Sequence, residues 1–186
     1  MALWIIVGII VIGLIWAISV YNRMIRLRVR AEEAWRDVDT QLKRRYDLIP
    51  NLVNTVKGYA KHEREVFDQV SEARSRAIGA PTPGEQAEAE NLLTGALRQL
   101  FAVAEAYPEL KANENFLGLQ QTLGDVESDI QKSRRFYNAV VRDLNIVLQV
   151  FPNNILAGIF GFTEREFFEL TTDEERMSVE VSFEPG

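Results

Sequence analysis

The eighteen residues from Leu3 to Val20 carry no charge and are almost all apolar. As a helix this run is about 27 Å long at 1.5 Å per residue, close to the thickness of a bilayer's hydrocarbon core. A chain carrying it is expected to live on a membrane. Trp4, Trp16 and Tyr21 fall near the two ends, where amphipathic rings prefer to lie. A cleaved signal peptide has its cations ahead of the apolar stretch. Here no Lys or Arg precedes it, and Arg23, Arg26, Arg28 and Arg30 follow at once. The run therefore reads as an uncleaved, single-pass anchor. The positive-inside rule turns those arginines inward, leaving a short N-terminus outside and residues 21 onward in the cytoplasm. The same four side chains suit anionic lipid, at about 1 kcal/mol each near the surface.

The remaining chain is about 165 residues, enough for one domain with a proper core. The absence of cysteine excludes disulfides and thiolate metal sites. The net charge of -6 is unevenly spread: residues 21–45 sum to +4 and residues 163–186 to -6. No basic stripe interleaved with aromatics follows the juxtamembrane segment, which argues against nucleic acid as a partner.

The soluble part has helical periodicity. Every seventh residue from Tyr21, with the positions three further on, gives an apolar seam: Trp35, Leu42, Ile49, Val56, Val70 and Ala77, with Met24, Ala31, Val38, Leu52 and Val66 between. Arg28, Arg45 and Glu63 breach it. Arg45 and Glu63 are therefore candidate buried polar groups, and an unpaired buried charge is costly. They would pair only if Pro50 reverses the chain; if Pro50 merely kinks the helix, as the unbroken phase favours, each needs another partner. Arg134 and Arg135 are the candidate partners on the long helix; alternatively, either Arg45 or Glu63 sits at a bundle edge and reaches out to water.

Two glycines and two prolines across residues 78–84 make the clearest turn, and substitutions within 80–86 are expected to cost little. A second stripe runs through Leu93, Ala96, Leu100, Val103, Tyr107 and Leu110. A third runs from Phe116 through Leu123, Val126, Ile130, Tyr137, Val140, Leu144 and Val147 to Phe151. Pro152 stops it. The expectation is an all-α fold: an N-terminal transmembrane helix, then an up-and-down bundle of three to four long antiparallel helices. The anchor occupies residues 1–22, the bundle 23–152, an apolar segment 153–170 and an acidic tail 171–186. Within the tail, Met177, Val179, Val181 and Phe183 alternate with polar residues as in a half-buried strand, while Asp173, Glu174, Glu175 and the terminal Pro-Gly fit a disordered acidic tail equally. Ile155, Ile159, Phe160 and Phe162, with Val179, Val181 and Phe183, are the candidate assembly residues, since exposed apolar patches mark contacts.

Catalytic constellations are missing. The lone histidine, His62, is followed by Glu63, but the fifth position of a zinc-protease motif is Val66, not a second histidine. A di-iron bundle needs Glu-x-x-His on two helices, so one histidine cannot supply it within a monomer. Neither phosphate-binding glycine loops nor a nucleophile elbow occur. No catalytic, cofactor-binding or metal residue is assigned.

The strings Gln-Leu-Lys-Arg-Arg-Tyr-Asp-Leu-Ile-Pro-Asn-Leu-Val at 41–53, Val-Lys-Gly-Tyr-Ala-Lys-His-Glu at 56–63, Ala-Glu-Ala-Tyr-Pro-Glu-Leu-Lys-Ala-Asn-Glu-Asn-Phe at 104–116 and Arg-Arg-Phe-Tyr-Asn-Ala-Val at 134–140 resemble the LemA family of bacterial membrane proteins. The resemblance covers about residues 1–170 and says least about 79–90 and the last sixteen residues. It implies an N-terminal anchor, a mostly cytoplasmic helical bundle and a bacterial source, and the expected location is the inner membrane. It implies no enzyme. Some relatives act in organelle-membrane biogenesis, and the family is often encoded beside membrane metalloproteases. The expected function is a non-enzymatic membrane scaffold that assembles as a homo-oligomer or organises a membrane-protein partner, without cofactor. The alternatives are an accessory factor of a membrane metalloprotease and a metal-binding or enzymatic bundle with sites shared between protomers.

Overall fold

The computed structural model describes residues 1–169. The expected strand at Met177 to Phe183, with the assembly candidates Val179, Val181 and Phe183, lies outside them. The described chain is all-α, a helical bundle: α1 (Ala2–Tyr59), α2 (Arg64–Gly79), α3 (Pro83–Glu105), α4 (Pro108–Lys111), α5 (Glu114–Gln149) and α6 (Asn153–Ile159). No strand occurs among the described residues. Two compact units divide the described residues: 1–49 with 119–167, and 50–118 with 168–169.

In the first unit α1 and α5 lie antiparallel. Trp35 packs on Tyr137 with ring centroids 5.1 Å apart, and ten residues further along both helices Arg45 meets Glu127 at 3.3 Å. Met24, Ala31, Val38 and Leu42 from α1 and Leu123, Ile130, Tyr137 and Leu144 from α5 are buried at seam positions. Their spacing of three and four residues puts them on one face of each helix, which is why the pair closes. Phe151 does not end this seam as expected. α5 stops at Gln149, and Phe151 is 80% exposed.

The second unit holds α2 and α3 as a hairpin, with α4 and the adjoining ends of α1 and α5. The expected turn lies between Gly79 and Pro83. Thr82 caps α3 by accepting the Glu85 backbone N–H at 3.2 Å, and Pro83 takes the first helical position, where no amide donor is needed. Asn113 does the same for α5, its Oδ1 accepting the Phe116 N–H at 3.0 Å. Pro50 stays inside α1, so the chain does not reverse there.

Two expectations are corrected in this unit. Glu63 is half-buried, not in the core: α1 ends at Tyr59, residues 60–63 form a turn, and the phase restarts in α2 with Phe67, Val70, Ala73 and Ala77 buried. Val66, placed in the seam, is half-buried while Phe67 takes the core position. Nor is the stretch 80–86 uniformly tolerant. Gln86 is buried, donating from Nε2 to the Ala77 carbonyl at 3.0 Å and to Glu90 Oε1 at 3.2 Å.

Candidate functional site

α1 contains the one segment among the described residues that is long and apolar enough to cross a membrane. Its side chains lie open to the surroundings: Trp4 is 78% exposed and Ile12 69%. This helix does not end with the apolar run. It continues through Tyr21 and the four arginines into the bundle of the first unit without a break. The span and the α1 seam are one element, so the membrane-proximal end of this unit can be located residue by residue.

Several parts of the chain meet there. Twelve residues past the Trp35–Tyr137 pair, along each helix, lie Arg23 and Gln149, so α5 ends level with the cationic flank of the apolar run. α6 begins four residues later and ends beside the run: Phe160 packs on Tyr21 with centroids 4.8 Å apart, and Phe162 meets the same ring at 5.8 Å. Arg28 lies over the other aromatic, its Cζ 5.6 Å from the Phe162 centroid, while Arg30 lies over Phe136 at 5.5 Å. Cation–π contacts of this kind contribute about 0.5–1 kcal/mol at exposed sites. They occupy two of the four arginines expected to serve lipid; Arg23 and Arg26 are exposed.

The turn that delivers Phe162 to Tyr21 is specified locally. Gly161 adopts φ 67°, a left-handed conformation that glycine takes without the Cβ clash other residues meet. The Phe162 N–H returns to the Ala157 carbonyl at 2.9 Å, and the Gly161 N–H to the Gly158 carbonyl at 3.4 Å, which closes α6 as a Schellman cap. Beyond it the chain runs back along the helix pair and is clasped. Asn145 donates from Nδ2 to the Arg165 carbonyl and accepts the Arg165 N–H at Oδ1, both at 2.9 Å. Arg165 Nη2 donates to Glu32 Oε1 at 2.7 Å, and the Tyr137 hydroxyl donates to the Glu166 carbonyl at 2.9 Å. Burial pushes the Tyr137 phenol above its usual value of 10.0, with the nearby Arg165 charge working the other way and Glu166 adding to the rise.

The named candidates separate into groups. Tyr21, Arg28, Phe160 and Phe162 come together; Trp4 and Trp16 stand exposed on the run. Ile155 and Ile159 share one exposed face of α6, while Ala157 is buried. Arg45 is 2% exposed and paired with Glu127; Glu63 has no part in that pair. Sequence reasoning missed Glu90, fully buried on α3, although extending the Leu93, Ala96, Leu100 stripe one step back lands on it. It also missed the Asn145 clasp, which leaves no periodic trace. Among the described residues no group of three His, Cys, Asp or Glu side chains gathers to hold a metal.

The chain is similar to the magnetosome protein MamQ 2 of Paramagnetospirillum magneticum, at 25% identity over 80% of this chain and 64% of the relative. It is similar to the magnetosome protein MamQ of Magnetospirillum gryphiswaldense at 24%, again over 80% and 64%. The chain thus spans 64% of the length of these MamQ relatives. Protein LemA of Metamycoplasma hominis is 24% identical over 94% of this chain and 80% of the relative. The model of the LemA family matches residues 34–183, which takes in the seam of α1 from Ala34 onward, the α2–α3 hairpin, α5 and α6. The chain belongs to the LemA family.

Proposed function

We propose that this protein is a non-enzymatic scaffold, anchored once in the bacterial inner membrane with its bundle in the cytoplasm, that assembles with copies of itself and so organises membrane-associated partners. The observation that carries the reading is the unbroken α1, which joins the segment long and apolar enough to cross a membrane to the seam of the first unit as one continuous helix. A flexible linker would suit a tethered enzyme that must search for substrate; a continuous helix suits a part that must hold position. The orientation rests on the arginines at 23, 26, 28 and 30, all on one side of the run. The relatives named for the magnetosome fit a role at a membrane-bounded structure.

The test is the mass of the full-length protein extracted in mild detergent, measured by mass photometry or light scattering. A defined oligomer is expected. A uniform monomer at native-like density overturns self-assembly.

A further inference from the structure

From Leu144 to Thr163 the chain carries no Asp, Glu, Lys, Arg or His. This stretch holds the end of α5, all of α6 and the turn at Gly161. A charge-free stretch in a soluble domain is ordinarily buried, because apolar side chains gain by leaving water. Here one face of it is buried, with Leu144, Val147, Leu148 and Ala157 in the core, but the other is not: Phe151 is 80% exposed, Ile155 53%, Ile159 69% and Phe160 54%. The helix-pair register puts α5's end level with Arg23, and the Tyr21–Phe160 contact puts α6's end at the last turn of the apolar run. The exposed patch is therefore continuous with the surface that α1 presents to lipid, and it lies at the depth where that run stops.

The geometry points to a second membrane contact in this protein: α6 lies in the bilayer interface beside the span, with Phe151, Ile155, Ile159 and Phe160 in contact with lipid. The inference rests on the anchored reading and takes these side chains from assembly to the bilayer. Lipid fits better than a second copy for two reasons. Exposed Arg23 and Arg26 stand at the same level and suit the phosphates of headgroups, whereas two copies joined here would bring like charges together. An exposed apolar face next to a span gains by burial at the headgroup boundary, and here the cations that favour that depth come from α1, not from α6 itself. The Schellman cap and the Asn145 clasp hold the chain just beyond α6 against α1 and α5, so the face is presented without further ordering.

The natural absence of cysteine allows a direct test. Full-length I159C, S128C and I10C are each labelled with an environment-sensitive fluorophore and reconstituted into vesicles of phosphatidylcholine and phosphatidylglycerol. Ser128 is exposed on α5 beside Glu127, which pairs with Arg45, about 36 Å along α1 from Tyr21 by helix rise. Circular dichroism checks that each variant keeps its helix content. The I159C label is expected to be quenched several-fold more than the S128C label by lipid spin-labelled near the headgroup, and to be shielded from aqueous iodide. Shielding from both quenchers means a second copy covers the face, and overturns the inference. Iodide quenching equal to that of S128C leaves α6 in water, and overturns it too. The I10C label separates the two readings: if lipid spin-labelled deep in the chain fails to quench it, the anchored reading falls and the inference with it. If I10C is quenched and I159C is not, only the inference falls.

Discussion

Arg45 is a buried cation on a helix face otherwise given to apolar side chains. Its breach of the heptad seam was legible in the sequence; its partner was not, because Glu127 is on another helix and seam counting along one element says nothing about what faces it. Glu127 is one-third exposed on its side chain, so its removal lets water reach the guanidinium in part. Glu127→Ala is expected to cost about 1.5–3 kcal/mol, the scale of one interaction with a charged group, read as a drop in urea midpoint. Glu63 was misread because the seam was extended across residues 60–63, where no proline and only the preceding Gly58 hinted at a stop. Tyr137 supplies a pH signature. Its folded-state pKa is raised, so the stability it contributes is complete below the unfolded value near 10 and is lost as pH rises through the folded value. Melts taken across that alkaline range should show a loss of stability that Tyr137→Phe removes, at the expense of one hydrogen bond worth about 1 kcal/mol at neutral pH.

Among the elements, the long helices were legible and their ends less so. Apolar spacing marks a face over many turns, and the residues it marked, among them Val56, Leu123, Ile130 and Leu144, are buried. Ile130→Ala should cost about 2–5 kcal/mol in denaturant unfolding, since a fully buried side chain leaves a cavity. α6 was seen only as an apolar segment, because seven residues are too few for a period to declare itself. Its stop depends on one residue. Gly161→Ala is expected to destabilise the first unit by about 1–2 kcal/mol, the cost of a left-handed residue with a Cβ. It should also speed amide exchange at Phe162, whose N–H closes the cap. At the other caps, Thr82→Ala should cost about 1 kcal/mol in thermal melts.

At the scale of the molecule, the expectation is a membrane-anchored assembly with the bundle inside. A periplasm-dependent reporter fused at the C-terminus should stay inactive, and the bundle should resist protease in intact cells; activity or cleavage there reverses the orientation. The unbroken α1 carries one further consequence. Each residue in an α-helix turns the next by about 100°, so the azimuth of Trp16 in the bilayer is locked to the azimuth of Met24 and Ala31 in the seam. A single residue inserted after Val20 would swing the whole lipid-facing stripe around the shaft relative to the α5 contact. Seven inserted residues would bring it nearly back into phase. Rotating the span about its own axis therefore means rotating the α1 seam with it or twisting the helix between them.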